Sequence, residues 1–150
     1  MIDVGMDYET AVKATGRLIL PVGRYELQVS EIRPSNTQEG RPQWGWEFNI
    51  LNSDTHPEFI GRKIFINSVL PWLDPSTGKI DTSGLFVLIG NGKNDAGILG
   101  GIGKRWQGNS FDDTPQLYIG TIGKADVKVS IIKKGTYAGQ EQNTFAWIAA

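Results

Sequence analysis

The residues with the clearest chemical potential are cations that come in pairs and aromatic side chains that lie near them. The basic pairs are Arg62-Lys63, Lys104-Arg105 and Lys133-Lys134. Phosphate groups attract such cations, and unpaired nucleobases stack on aromatic rings. The combination therefore favours binding of a nucleic acid, although solvation of an ordinary surface is the simpler explanation for the cations alone.

Patterns typical of catalysis or metal binding are weaker. The glycine-rich run GILGGIGKR, residues 97–105, departs from a phosphate-binding loop at Ile98 and Arg105, so its glycines predict a mobile loop instead. His56 is the single histidine and has no evident catalytic or metal-binding partner. The pair Asp112-Asp113 has no second acidic cluster to complete a metal site. We therefore expect no enzyme activity, cofactor or metal.

Composition indicates a single globular domain. The chain has 150 residues, of which 39% are hydrophobic and 21% charged. It contains no cysteine, which excludes disulfides and suits a reducing compartment. With no apolar run of membrane-span length and no signal-peptide pattern, we expect a cytoplasmic protein without a membrane partner. The net charge of −1 divides into −4 for residues 1–60 and +3 for residues 61–150, which allows a local positive groove.

The chain divides into short segments, since it holds 19 glycines and 7 prolines, and this pattern predicts an all-β domain. A first strand lies in LPVGRYELQVSEI, and a second ends near Leu51. The third covers RKIFINSVL, the fourth GKADVKVSII and the fifth NTFAWIAA. Residues 1–16 predict a flexible arm or a short helix. Residues 71–123 predict an irregular, glycine-rich insertion with a short helix near residues 84–90.

This order of strands predicts the fold. Three strands, an insertion and a final two-stranded hairpin are typical of the five-stranded, partly open Greek-key barrel known as the OB-fold. We therefore predict one all-β OB domain over residues 1–150, with a partly helical insertion between strands three and four. Such a barrel binds oligonucleotides or sugars across strands two and three and the loops that flank them.

Those regions supply the candidate binding residues. The cations are Arg33 and Arg41 in the first loop, Arg62 and Lys63 at the start of strand three, and Lys133 and Lys134 in the last hairpin. The aromatic candidates are Trp44, Phe65, Trp72 and Tyr137. Alternation places Lys63, Phe65 and Asn67 on the face of strand three opposite its isoleucines, which is a position for base stacking unless the insertion covers it.

Strand two raises a separate question, because Trp44, Trp46, Phe48 and Ile50 all fall on one face. We predict that most of this stripe belongs to the core. Trp44 is the exception, since it lies at the mouth of the strand near Arg41 and is expected to face a bound nucleic acid. Gly45, on the other face, would let a ligand approach the backbone closely.

An ordered set of short patterns carries a family resemblance. Gly23-x-Tyr25 opens strand one, Phe48-x-Ile50 ends strand two, Gly61-Arg62-Lys63 opens strand three and Asn143 starts strand five. Over about residues 20–70 and 120–148, the chain resembles phage-encoded single-stranded DNA-binding proteins of OB fold, a family formerly of unknown function. The resemblance implies sequence-independent binding of single-stranded DNA during phage DNA replication or recombination, in the cytoplasm of the infected host cell.

The resemblance is compatible with binding of other replication or recombination proteins. The sequence does not determine the oligomeric state, and an oligomer is compatible with it. The alternative is a non-enzymatic structural or interaction module, such as a virion component or a carbohydrate-binding β-barrel. Carbohydrate sites also present tryptophans, but they combine them with Asp, Asn and Gln rather than with cation pairs.

Overall fold

The computed structural model describes residues 1–3, 5 and 18–150. The strands in this part are β1 (Gly23–Asn36), β2 (Pro42–Ser53), β3 (Lys63–Val69), β4 (Trp72–Asp74), β5 (Lys79–Asp81), β6 (Ile122–Ile131) and β7 (Glu141–Ile148). The helices are α1 (Phe86–Ile89) and α2 (Gly97–Gly101), with 3-10 turns at Pro57–Phe59 and Pro115–Leu117. Strands hold 43% of the described residues and helices 11%, which confirms the all-β class. Of the predicted arm, residues 1–16, all but residues 1–3 and 5 lie outside the described residues. None of the described helices has the length and apolar character needed to span a membrane.

Five of the strands form one antiparallel sheet in the order β3-β2-β1-β6-β7, and β4 pairs with β5 in a separate hairpin. The central strand β1 pairs with β2 from Tyr25 to Asn36 and with β6 from Gly23 to Gln28. Its register with β2 shifts twice, and at one of these bulges Ser30 is the extra residue, with no residue of β2 directly opposite it. Bulges increase twist and bend a strand, so β1 can belong to two differently oriented parts of the sheet.

The core is built around the inward face of β2. Trp44, Trp46, Phe48 and Ile50 are all buried there, which was predicted for Trp46, Phe48 and Ile50 but not for Trp44. The rings of Trp46 and Phe48 stack with centroids 6.0 Å apart, and Phe48 lies 5.3 Å from the ring of Trp147 on β7. The sheet therefore curves enough to bring the inner faces of β2 and β7 together.

The glycine-rich segment at residues 97–101 is the buried helix α2, so the predicted mobile loop is wrong. A Cβ atom at Gly101 would lie 2.5 Å from Cε3 of Trp147, closer than packed atoms come. The backbone N–H of Ala96 donates to the carbonyl of Trp147 (2.9 Å), and that of Ala150 donates to the carbonyl of Gly100 (3.0 Å). Glycine is needed because the helix lies directly on the indole ring.

Two further boundaries differ from the prediction. β1 continues to Asn36, so Arg33 lies on a strand rather than in the first loop. The region predicted as irregular contains the β4–β5 hairpin, whose turn is formed by the sequence DPSTG. Because Asp, Pro, Ser and Gly favour turns, this sequence could have been used to predict the hairpin. The short helix predicted near residues 84–90 is present as α1.

We predict that Gly101→Ala destabilises the protein by about 1–3 kcal/mol, the usual cost of overpacking a core. Helix propensity alone predicts the opposite sign, because alanine favours a helix interior by about 1 kcal/mol over glycine. Urea unfolding would measure the change. Gly45→Ala is the matched control, because its Cβ would meet the end of the Asn67 side chain at 3.3 Å and the Arg33 carbonyl oxygen at 3.7 Å, which is an ordinary van der Waals contact. A G101A protein as stable as wild type would contradict the packing argument.

Candidate nucleic-acid interface

The outer face of β3 carries the best-placed aromatic residue of the described chain. Lys63, Phe65 and Asn67 are exposed on this face, and 65% of the Phe65 surface is accessible. Ile64, buried, and Ile66, partly buried, point to the core. The prediction that Phe65 lies on a polar, basic face is confirmed in its geometry, since the insertion leaves the ring exposed.

A carboxylate lies beside this face. Glu47 on β2 is directly opposite Phe65 on β3, and only 8% of its side chain is exposed. Its pKa is lowered from the usual value, chiefly by the hydroxyl of Ser30, which donates to the carboxylate at 2.7 Å, and also by the charges of Lys63 and Arg33. Desolvation opposes this shift. Glu47 is therefore an ionised, nearly buried group at the centre of the sheet face.

Glu47 changes what two predicted phosphate ligands can contribute. The Nζ atom of Lys63 and a guanidinium nitrogen of Arg33 each lie 3.6 Å from the Glu47 carboxylate. Arg33 also contacts Glu31 at 2.7 Å. Both cations remain more than half exposed, so they can reach solvent, but their charges are partly balanced within the protein.

The prediction that Arg41 lies in a binding loop available to phosphate is wrong. Arg41 is 8% exposed, and its guanidinium donates to the carbonyls of Leu70 (3.2 Å) and Asp81 (3.1 Å). It also lies 3.5 Å from the Asp81 carboxylate. Its role is therefore to attach the β4–β5 hairpin to the end of β2.

The prediction that Trp44 faces DNA is also wrong, because only 2% of its surface is exposed. Its ring contacts Trp46, Phe111 and Tyr118, with centroids 5.5–5.6 Å apart. Phe111 and Tyr118 belong to the insertion and cover the end of β2 that the sequence left open. Trp72 is half-buried in β4, opposite Asp81, and so belongs to the small hairpin rather than to the five-stranded sheet.

The remaining candidates are exposed. Arg62 precedes β3, and Lys133, Lys134 and Tyr137 lie in the loop between β6 and β7, which we call the tip loop (residues 132–140). Within residues 18–150, no carboxylate lies within ion-pair distance of these three cations. The tip loop is closed by two backbone hydrogen bonds, from Ile132 to Gln140 and from Gly139 to Ile132. Its cations are therefore held on a defined turn.

The two edges of the sheet, β3 and β7, enclose a groove of about 1050 Å³, which we call the edge groove. Its lining includes Phe65 and Asn67 of β3, Lys128 of β6, Gln142 of β7 and Phe86 of α1. Lys128 is not among the residues predicted from the sequence, although its alternation with Val127 and Val129 indicates an outward side chain. Nor is Phe86, whose placement depends on how the insertion folds.

The chain matches no protein-family model and no curated protein sequence. Among the described residues, no group of three or more His, Cys, Asp and Glu could hold a metal ion. His56 contacts the neighbouring hydroxyl of Thr55 at 2.7 Å and the ring of Phe59, in an exposed turn. The candidate site is thus the exposed aromatic ring of Phe65, with side-chain amides and cations around it.

We predict that Glu47→Gln reduces the loss of stability at low pH. Because the pKa of Glu47 is lower in the folded state, its contribution is present above its unfolded pKa and is lost as pH falls through the folded pKa. The free energy of unfolding should therefore fall less between pH 7 and pH 3 in E47Q than in wild type. Denaturant unfolding across this range measures it, with E39Q, at an exposed turn position, as the control that should follow wild type. Identical profiles for E47Q and wild type would refute the assignment.

Proposed function

We propose that this protein binds single-stranded DNA without sequence preference, through the outer face of β3, the edge groove and the tip loop. The observation that carries the proposal is the exposed ring of Phe65, set between Lys63 and Asn67 at the edge of the sheet. An exposed ring in such polar surroundings offers a π-face to any unpaired base. A duplex keeps its bases stacked inside the helix and cannot use this ring.

We also propose that the sheet is an OB-fold barrel. The spatial order β6-β1-β2-β3 supports a Greek key, in which the fourth strand returns to lie beside the first. The two helices lie in the connection between β3 and β6, where an OB-fold carries its extra element. Oligonucleotides bind OB domains across the second and third strands, which here correspond to β2 and β3.

Phosphate binding would depend mainly on Arg62, Lys133 and Lys134, since Arg33 and Lys63 share their charge with Glu47. Each phosphate neutralised on a single strand contributes a slope of about −0.7 to the dependence of log K on log salt. Of the six predicted phosphate ligands, only Arg62, Lys133 and Lys134 have no ion-pair partner among residues 18–150, so we expect a shallow slope and a large share of the affinity from stacking. From the sequence resemblance, we propose that this activity serves phage DNA replication or recombination in the infected cell.

A second candidate is a carbohydrate-binding module. It is favoured by the side chains around Phe65, where Asn67, Gln142 and Thr144 line the edge groove beside the aromatic ring. Such amides and hydroxyls suit sugar hydroxyls as well as base edges. The two candidates differ in what the tip-loop cations do, because a neutral sugar needs none of them.

We predict that replacing both Lys133 and Lys134 by Glu lowers the affinity for a labelled oligo-dT by at least tenfold at low salt and makes the salt slope shallower. Fluorescence anisotropy over a series of salt concentrations would measure both quantities. Lys79→Glu, which reverses an exposed charge on β5, is the control and should retain nearly wild-type affinity. If the double variant binds oligo-dT like wild type, the tip loop does not contact phosphate, and retained binding of a neutral oligosaccharide would then favour the second candidate.

We predict that Phe65→Ala weakens binding of oligo-dT by about tenfold, since stacking one base contributes about 1–3 kcal/mol. Its thermal unfolding should be close to that of wild type, because the ring is exposed. Phe65→Trp should preserve affinity, and the fluorescence of the new indole should be quenched on binding. Wild-type affinity in F65A would remove the observation on which the proposal depends.

A further inference from the structure

We propose that Phe86 of α1 is a second base-stacking residue, so that the edge groove takes unpaired nucleobases between β3 and the insertion. This inference rests on the proposed function and identifies where the bases lie. Phe86 and Phe65 both line the edge groove, and 56% and 65% of their surfaces are exposed. They come from segments about twenty residues apart in sequence, yet the fold places both rings along one groove.

The exposure of Phe86 follows from the way α1 is anchored. Leu85 is 5% exposed and Leu88 is fully buried, so the short helix is held to the core by these two side chains. At its end, Gly90 has a φ of 73°, and a Cβ there would collide with the backbone of Asp95 and Gly97. The helix is therefore fixed in orientation, and Phe86 is held at the groove rather than free to fold into the core.

The polar groups of the groove suit the edges of nucleobases. The side-chain amides of Asn67, Asn94 and Gln142 line it and make no hydrogen bond to another residue in the described 18–150 range. Each amide offers both a donor and an acceptor, which is what the mixed edges of bases require. Amides that are exposed at Asn67 and Asn94 and half-buried at Gln142 thus line the same groove as the two aromatic rings, which provides stacking and hydrogen bonding in one place.

The charges in the groove nearly balance, which favours bases over phosphates inside it. The acidic groups are already engaged, because Asp126 pairs with Arg24 at 2.8 Å and Asp95 accepts the N–H groups of Gly97 and Trp147. Lys63 and Lys128 supply the positive charge of the lining. Phosphates would then remain outside, near the free cations of the tip loop.

The test compares Phe86→Ala with wild type on oligo-dT and on a strand of the same length that contains abasic residues. Phe86→Ala should bind oligo-dT about tenfold more weakly with an unchanged salt slope, because a base contact is lost and no phosphate contact is. On the abasic strand, the variant and wild type should bind equally. Ile80→Ala, which removes a 55% exposed side chain on β5, is the control and should match wild type on both strands.

A second variant, Phe86→Trp, keeps the test decisive if the alanine variant folds poorly. It should preserve affinity for oligo-dT, and the fluorescence of the introduced indole should be quenched on binding. If Phe86→Ala matches wild type while Phe65→Ala binds weakly, the inference is overturned and the proposed function stands. A defect of Phe86→Ala that is equally large on the abasic strand, or an introduced indole that is not quenched, overturns it as well. If wild type binds neither strand, both proposals fail together.

Discussion

The burial of the aromatic face of β2 determines the orientation of the side chains on the outer face of β3, where we propose that DNA binds. Trp46 and Phe48 are completely buried, and the indole N–H of Trp46 donates to the hydroxyl of Ser68 on β3 at 2.8 Å. This buried bond fixes the register in which β3 lies against β2, and alternation then directs Phe65 outward. A slip of one residue would bury Phe65 and Lys63 and expose the isoleucines of β3, so the register is strongly specified. The core therefore determines which side chains this sheet face presents to solvent.

The same core explains why the insertion is so rich in glycine. Trp147 lies against Phe48 on one side, and helix α2 packs on it at Gly101. Gly123 on β6 allows the same approach, since a Cβ there would lie 2.7 Å from the carbonyl oxygen of Gly101. Because α2 is held this closely, the preceding helix α1 is also held, and its Phe86 reaches the edge groove. The packing of α2 on Trp147 therefore also determines where Phe86 lies in the candidate site.

The features that depend on local alternation could be predicted from the sequence. The predictions were wrong where segments distant in sequence come into contact. The stripe of β2 and the outward position of Phe65 were both predictable from a period of two. Trp44 was not, because the residues that cover it, Phe111 and Tyr118, come from the insertion. Arg41 was missed for the same reason, since its partners lie about thirty and forty residues further along the chain. Glycine propensity favoured a loop at α2, and tertiary packing overrides that preference.

We propose that unpaired bases stack on exposed aromatic rings while a small number of cations hold the phosphates. The most direct measurement is a salt titration of binding to a single-stranded oligonucleotide and to a duplex of equal length, side by side. The account predicts tighter binding of the single strand at every salt concentration, with a shallow slope and with affinity that persists when duplex binding has vanished. Equal binding of both forms, or a single-strand affinity that disappears as steeply with salt as duplex affinity, would contradict it.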